Sequence, residues 1–324
     1  MRNLAVIVIA LSFATGAWAQ AWRPEKTVEF IVPTGAGGNS DKMTRIAQKI
    51  LQDHKLLTTP SVILNRTGGN QTLAVIYTLQ HPGDAHYVLF LNPTIFANEL
   101  NGITPHRYTE LTPLALLVIE NTVLTVRAES PIKNMSDLIA RLKADPESMS
   151  FGMPPRGGQP HLTAAAAVRA AGADARKMKA VVFKGSGEST TALLGGHVDV
   201  MVSSSGSVLP LVQAGKARVL AVAAAQRMGG SFANAPTFRE QGIDSTGIPA
   251  WRAFFGPPKL TPAQIAFWDE ALAKMAATPE WKKYLEDGDL TQQFLRSREF
   301  GRYLDAEYAN TKAIMGELGL VKQP

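Results

Sequence analysis

The sequence contains no cysteine, and several motifs of catalytic chemistry are also missing. The absence of cysteine excludes disulfides, thiolate metal sites and cysteine nucleophiles. The six histidines show no HExxH or other paired spacing, so we expect no metal site. Serine hydrolase and P-loop chemistry lack their main motifs, G-x-S-x-G and G-x-x-x-x-G-K-[ST]. Lysine and arginine form no block despite a net charge of +6, so nucleic acid is not an expected partner. We therefore expect no cofactor and no catalysis.

The first residues have the three parts of an export signal. A short basic start, Met1–Asn3, precedes the apolar run Leu4–Leu11, and an A-x-A site at residues 17–19 precedes Gln20. The apolar run is too short to span a bilayer, which argues against the alternative of an uncleaved anchor. We predict a signal peptide over residues 1–19, cleavage between Ala19 and Gln20, and a periplasmic mature protein.

Strands and helices alternate along the mature chain, which is typical of an α/β protein with a largely parallel sheet. Three predicted strands, Val28–Val32, Val62–Leu64 and Tyr87–Leu91, end in loops rich in glycine, asparagine or threonine. Ligands of open α/β sheets bind outside the carboxyl ends of the strands. The clustering of these loops therefore indicates a binding site at one edge of the sheet.

Two strand–turn–helix segments, one in each half, are the main functional signal. The first turn runs over residues 33–41 and the second over residues 153–161. Each glycine-rich turn lets backbone amides approach a ligand, and the following helix start favours an anion. The run Leu114–Val126 breaks at Glu120-Asn121, and Ala250–Phe255 is a second apolar strand. We take both as domain crossings and predict residues 20–122 plus 225–324 as one domain and 123–224 as the other.

The order of these motifs resembles the tripartite tricarboxylate transporter substrate-binding proteins, the Bug-type solute receptors. The resemblance covers nearly the whole mature chain. Its most specific part is the run Leu193-Leu194-Gly195-Gly196-His197-Val198-Asp199-Val200-Met201. Further matching parts are Ile31–Pro33 with Gly37–Asp41, Asn65–Asn70, Phe151-Gly152 with Pro160–Leu162, Phe183–Ser186, Leu209-Pro210, Ala214–Lys216, Arg218–Val222 and Thr237 with Glu240–Ile243.

The resemblance implies a two-domain periplasmic-binding-protein-like (type II) fold, with a mixed, mostly parallel sheet flanked by helices in each domain. Such a receptor captures a small di- or tricarboxylate, or another carboxylate, in the cleft and delivers it to the membrane components of a transporter. We expect a monomer. Two alternatives stay open: a receptor of the same fold that signals to a membrane sensor, and an exported enzyme using His161, Asp41 or Glu188 as acid or base. The enzyme lacks a recognisable nucleophile–base pair.

The resemblance, with the strand ends, assigns ligand contacts to residues of both halves. In the first half these are Thr34, Gly35, Ala36, Gly37, Gly38, Asn39, Ser40, Asp41, Asn70, Asn92 and Thr94. In the second half they are Arg156, Gly157, Gly158, Gln159, His161, Lys184 and Ser204.

The second loop departs from the family at Pro154, Pro155 and Arg156. Two prolines remove two amide donors, and Arg156 either replaces them by pairing a carboxylate or lies in solvent. For His161, a cap or a packing role is the alternative to ligand contact. Serines at 203–205, where the family often has an acidic or amide side chain, favour a plain carboxylate or aromatic acid over an amino acid. Trp251 and Phe254 are interpreted as core residues.

Overall fold

The computed structural model describes residues 22–153, 158–170, 172–183, 186–224, 226–243, 249–288 and 290–322. The signal peptide predicted at residues 1–19 lies outside them. Among the described residues, no helix combines the length and apolar character that crossing a membrane requires.

The strands, numbered in chain order, are β1 Val28–Val32, β2 Ser61–Asn65, β3 Tyr87–Leu91, β4 Thr112–Glu120, β5 Thr122–Arg127, β6 Ser150–Met153, β7 Lys179–Val182, β8 Val200–Ser204, β9 Ala217–Ala223, β10 Ala250–Gly256 and β11 Thr291–Arg296. The α-helices are α1 Asn39–Asp53, α2 Thr72–Leu79, α3 Thr94–Leu100, α4 Met135–Ala144, α5 Gln159–Ala170, α6 Ser186–Leu194, α7 Ser205–Gln213, α8 Pro262–Ala277, α9 Pro279–Asp287 and α10 Ser297–Glu317. Short 3₁₀ turns occupy Gly69–Gln71, Tyr108–Glu110, Ala175–Lys177, Gly230–Phe232 and Arg239–Gln241.

The first sheet has the order β11-β4-β10-β3-β1-β2. Strands β1, β2 and β3 are parallel, whereas β10 runs antiparallel to both of its neighbours, β3 and β4. Apolar side chains cover both faces of this sheet. Phe254 and Trp268 belong to the core cluster that includes residues of α1, α8 and α9, and Trp251 to the cluster that includes residues of α2, α3 and α10. Because Trp251 and Phe254 are both fully buried, their interpretation as core residues is confirmed.

The second sheet has the order β7-β6-β8-β5-β9. Strands β6, β7 and β8 are parallel, and β5 is antiparallel to β8 and β9. Its core includes Phe151, Leu138 and Val168, whereas Met201 and Phe232 belong to a second cluster. The predicted class, two mixed α/β sheets flanked by helices, is confirmed. The sheets are not mostly parallel as expected, because the crossing strands β4, β5 and β10 all pair antiparallel with their neighbours.

A very short connection joins the two sheets. Only Asn121 separates the end of β4 from the start of β5, and the chain returns between β9 and β10. The amide of Ser205, which opens α7, donates to the carbonyl of Asn121 at 2.8 Å. Asn92, which follows β3, and Ser204, which ends β8, line one cavity, so the carboxyl ends of these two strands lie opposite each other. The limits given above for the two domains stay predictions.

The last residues of α10 and the segment after it, Leu318–Lys322, form a strap between the two halves. Leu100 of α3 and Leu162 of α5 share one apolar cluster with Met315, and Leu318 and Leu320 pack against it. The amide of Lys322 donates to the carbonyl of Leu100 at 2.8 Å. The strap thus holds α3 and α5 together at their buried faces.

Several element predictions differ from the structure. Helix α3 follows Asn92-Pro93 directly, where we expected only a loop, and β11 is an additional strand with a polar sequence. The segment Pro236–Gln241, whose sequence also suits a short helix, contains only the 3₁₀ turn Arg239–Gln241, and Gly242 after it adopts the left-handed conformation (φ 76°) that ends a helix. Asn39, Ser40 and Asp41 are residue types that favour helix caps, but they lie inside the first turn of α1, and the cap position is Gly38, which has no side chain to accept a hydrogen bond.

Candidate functional site

A cavity of about 140 Å³ lies between the facing sheet edges. Liquid water occupies about 30 Å³ per molecule, so this space has room for about five waters or an organic acid of similar size. Of the predicted contacts, Asn92, Thr94, Gly158, Gln159 and Ser204 line it together. The other lining residues are Pro93, Pro160, Ser186, Ser203, Ala250 and Arg252.

Three helices of the second half begin at this cavity. Helix α5 starts at Gln159, α6 at Ser186 and α7 directly after Ser204. Because the first amides of a helix lack intrahelical partners and its dipole is positive at that end, each start favours a negative group. The hydroxyls of Ser186 and Ser203 lie 3.0 Å apart, so one donates to the other and their free lone pairs and proton remain at the wall. The cavity is therefore rich in donors and positive partial charge.

Asn92 presents a fixed donor at the opposite wall. Its Oδ1 accepts from the amide of Thr94 at 3.0 Å and from Nε2 of Gln71 at 2.8 Å. These two donors determine which way the carboxamide faces. The Nδ2 group has no partner among the described residues, so it is available to an acceptor in the cavity.

Gln71 belongs to a strained turn. Gly68, Gly69, Asn70 and Gln71 all have positive φ, at 125°, 54°, 51° and 81°. The two non-glycine residues pay a steric penalty in this region, and such strain persists only where neighbouring contacts impose it. Asn98, buried in α3, imposes it here: it donates to the Asn70 carbonyl at 2.5 Å and accepts from the Asn70 amide side chain at 2.7 Å. The turn thus delivers Gln71 to Asn92, a role that sequence reasoning missed.

Arg252 is the only cation that lines the cavity among the described residues. Its guanidinium forms an ion pair with Glu120, whose side chain is 3% exposed. A buried carboxylate without this partner would be strongly unfavourable, so Glu120 fixes Arg252 at the wall while compensating part of its charge. Sequence reasoning missed both residues, although a single arginine in the apolar strand β10 and an acid at the end of β4 were signals that could have revealed them.

The first predicted loop lies at the same sheet edge but does not line this cavity. Gly35, Ala36, Gly37, Gly38 and Asn39 are exposed and Thr34 is half-buried. Ser40 is buried, and its carbonyl accepts from the Thr44 hydroxyl at 2.8 Å. The loop is thus presented to solvent at the carboxyl end of β1.

Asp41 shapes this loop from inside. Its carboxylate accepts from the Gly37 amide at 2.9 Å, from Arg45 Nε at 2.8 Å and Nη2 at 3.1 Å, and from Asn65 Nδ2 at 3.0 Å. The hydrogen bond from Arg45, followed by those from Gly37 and Asn65, lowers the pKa of Asp41 to about 2. All four donors come from the protein, so the carboxylate positions the loop instead of facing a ligand.

Two other predicted contacts have different surroundings, and three cannot be placed. Asn70 is engaged with Asn98 as described. His161 is buried and lines a separate cavity of about 90 Å³ with Arg176, Leu318 and Leu320, below the cleft end of α5. Arg156, Gly157 and Lys184 lie outside the described residues. Among the described residues there is no cluster of three or more histidine, aspartate or glutamate side chains that could hold a metal ion.

Known proteins share this architecture. The family model described as tripartite tricarboxylate transporter family receptor matches residues 43–320. A UPF0065 protein encoded in the gbd 5' region of Cupriavidus necator is 28% identical over 99% of this chain and 96% of its own length. Protein BugT of Bordetella pertussis is 27% identical over 79% of this chain and 82% of its own. Among solved structures, R. palustris Rpa4515 with adipate superposes with a TM-score of 0.80 at 23% identity, covering 92% of this chain and 99% of that one.

Proposed function

Because the chain belongs to the tripartite tricarboxylate transporter receptor family, we propose that it captures a small organic carboxylate between its two sheets and delivers it to the membrane components of such a transporter. Members of this family are substrate-binding receptors, so the chain is a receptor and not an enzyme. The proposal includes export to the periplasm with cleavage of the signal peptide near Ala19. It also includes a monomeric receptor with one domain of residues 20–122 plus 225–324 and a second domain of residues 123–224.

The lining of the cavity is the observation that supports a carboxylate ligand. The wall contains helix starts, the Nδ2 donor of Asn92 and the guanidinium of Arg252, and no unpaired acid among the described residues. Each helix start stabilises an anion by about 0.3–1 kcal/mol, and a hydrogen bond to a charged group contributes about 1.5–3 kcal/mol. After the costs of ordering are subtracted, such contacts are consistent with an affinity near 1 μM, which corresponds to about 8 kcal/mol. Adipate in the Rpa4515 structure supports a dicarboxylate.

The exposed first loop, residues 34–40, fits the same proposal. Asp41 accepts from the Gly37 amide within the loop, and the loop follows β1, the parallel neighbour of β3. Closure of the two halves would bring the loop to the ligand. We therefore retain its amides, together with Arg156, Gly157 and Lys184, as proposed contacts.

The test is a thermal-shift screen of the mature protein against dicarboxylates, tricarboxylates, aromatic acids and amino acids, followed by calorimetric titration of each positive compound. We expect a dicarboxylate or tricarboxylate to raise Tm, by an amount that grows with ligand concentration. If no organic anion shifts Tm, carboxylate capture is wrong. Delivery is tested separately, by uptake of the labelled ligand in cells with and without this receptor.

A further inference from the structure

A second cavity, of about 360 Å³, lies at the far end of the first sheet from the cleft. Its walls are the first described residues, Trp22 and Arg23, the turn after α1 at Lys55-Leu56, and one face of α8 around Phe267. Helix α1 begins at the cleft edge and ends near this cavity, and β10 runs from the cleft edge toward the start of α8. The cavity is therefore separate from the proposed carboxylate site, and its volume is in the range of small-molecule pockets.

Aromatic rings give this cavity a rigid apolar floor. Trp22 packs edge-to-face on Phe267, with ring centroids 5.4 Å apart, and also on His86 at 5.5 Å. Phe267 in turn packs edge-to-face on the fully buried Trp268. Such pairs fix the ring orientations, so a planar apolar group can enter without rearranging the walls.

The rim carries positive charge that nothing in the described residues neutralises. Glu270 pairs with Lys274 at 3.2 Å and with Arg296 at 3.4 Å, so its charge is already compensated. Arg23 and Lys55 form neither an ion pair nor a side-chain hydrogen bond with any described residue. Two uncompensated cations beside an aromatic floor match a ligand that is apolar at one end and anionic at the other.

We propose that this cavity is a second ligand site, specific for an amphipathic aromatic anion. The ring of the ligand lies against Trp22 and Phe267, and its carboxylate or sulfonate lies between Arg23 and Lys55. Both cations are exposed, so the anionic group stays at the solvent edge while the ring is buried. This assignment does not depend on the carboxylate proposed for the cleft.

Trp22 supplies a local reporter. The other described tryptophans, Trp251, Trp268 and Trp281, are completely buried, so acrylamide quenches Trp22 selectively. The probe is 2-naphthalenesulfonate, measured by calorimetry on the mature protein, with 2-naphthalenemethanol as its uncharged counterpart. Acrylamide quenching, excited at 295 nm, is measured with benzenesulfonate, which does not absorb there. We expect 2-naphthalenesulfonate to bind with a Kd below about 1 mM, the alcohol at least tenfold more weakly, and benzenesulfonate to protect Trp22.

Two variants locate the binding. The double variant Arg23→Gln with Lys55→Gln should weaken 2-naphthalenesulfonate binding at least tenfold, and Ala266→Phe, which fills the cavity from α8, should abolish it. The matched control, Lys143→Gln with Lys216→Gln, removes two exposed cations elsewhere and should leave the affinity unchanged. Circular dichroism verifies the fold of each variant.

Three results would overturn the proposal. The first is the absence of measurable binding of 2-naphthalenesulfonate at 1 mM. The second is equal loss of affinity in the Gln pair and in its control, which would mean that only net charge matters. The third is that the cleft variant Asn92→Asp loses binding while Ala266→Phe retains it, which would place the anion in the cleft.

Discussion

Asn92→Asp separates the contribution of Asn92 to folding from its contribution to binding. In the folded protein Oδ1 of Asn92 accepts from the Thr94 amide and from Gln71, and aspartate keeps that acceptor in the same place. The change replaces only Nδ2, the donor at the cavity wall, by a charged oxygen. The new carboxylate lies at the start of α3, where a negative charge is favourable. We therefore expect the free energy of unfolding of the ligand-free protein to stay the same or to rise by about 0.3–1 kcal/mol, and its Tm to stay the same or to rise slightly.

Binding should change in the opposite direction. A hydrogen bond to a charged acceptor is worth about 1.5–3 kcal/mol, so its loss alone lowers the affinity for a carboxylate by roughly 10- to 150-fold. The new negative charge adds repulsion, which makes the lower figure a minimum. Isothermal titration with the tightest carboxylate from the screen measures the affinity, and calorimetric unfolding of the free protein measures Tm.

The control is Asn101→Asp, at a residue that follows α3 and does not line the cavity, where we expect less than a threefold change in affinity. The reasoning about Asn92 is refuted if Asn92→Asp binds the carboxylate as tightly as the unaltered protein. It is also refuted if Tm of the free variant falls and this loss of stability accounts for the whole loss of affinity. The first outcome would remove Nδ2 from the ligand contacts. The second would make Asn92 a structural residue only.

Three further predictions concern charged groups. Because the folded pKa of Asp41, about 2, is below its usual value near 4, its stabilisation is present above pH 4 and lost as the pH falls toward 2. Asp41→Asn should therefore cost about 1–3 kcal/mol at pH 7 and much less at pH 2, measured by urea unfolding; an equal cost at both pH values would contradict the charge-based account. Arg252→Met leaves Glu120 buried and unpaired and should lower the free energy of unfolding by about 3–5 kcal/mol, whereas Arg252→Met with Glu120→Gln should recover part of that loss. Arg156→Ala should weaken carboxylate binding at least tenfold in titration calorimetry if Arg156 pairs the ligand, and unchanged affinity would return it to solvent.

The sequence predicts the fold well where the signal is local. The apolar runs of β3 and β4 are continuous, and those of β1 and β10 are each interrupted by a single charged residue. The polar break at Glu120-Asn121 marks the passage between sheets that the structure shows. Strand β11 escapes prediction because its sequence, TQQFLR, has no apolar alternation and becomes a strand only by pairing with β4. Helix α3 escapes prediction because Asn92-Pro93-Thr94, which leads into its first turn, also suits an isolated turn.

The site is predicted less completely, for reasons of distance along the chain. Asn92 follows the predicted strand Tyr87–Leu91, so a rule about sheet edges finds it, and Ser204 follows the family motif that ends at Met201. The contact of Gln71 with Asn92 depends on the left-handed backbone of Gln71, which Asn98 of α3 stabilises. No local sequence pattern predicts that conformation for a glutamine. The pairing of Arg252 with Glu120 joins residues 132 positions apart, and only the adjacency of β10 and β4 brings them together.

The place of β10 in the first sheet determines when each half can fold. All strands of the second sheet come from one continuous stretch, β5 to β9, so that half has its complete sheet as soon as residue 223 has been synthesised. The first sheet cannot be completed at that stage, because β10 lies between β3 and β4. Until residues 250–256 have been synthesised, both strands expose an unpaired edge. Exposed edges of apolar strands invite pairing with other chains. A nascent chain of this receptor is therefore most vulnerable to aggregation in the interval between the synthesis of β3 and that of β10.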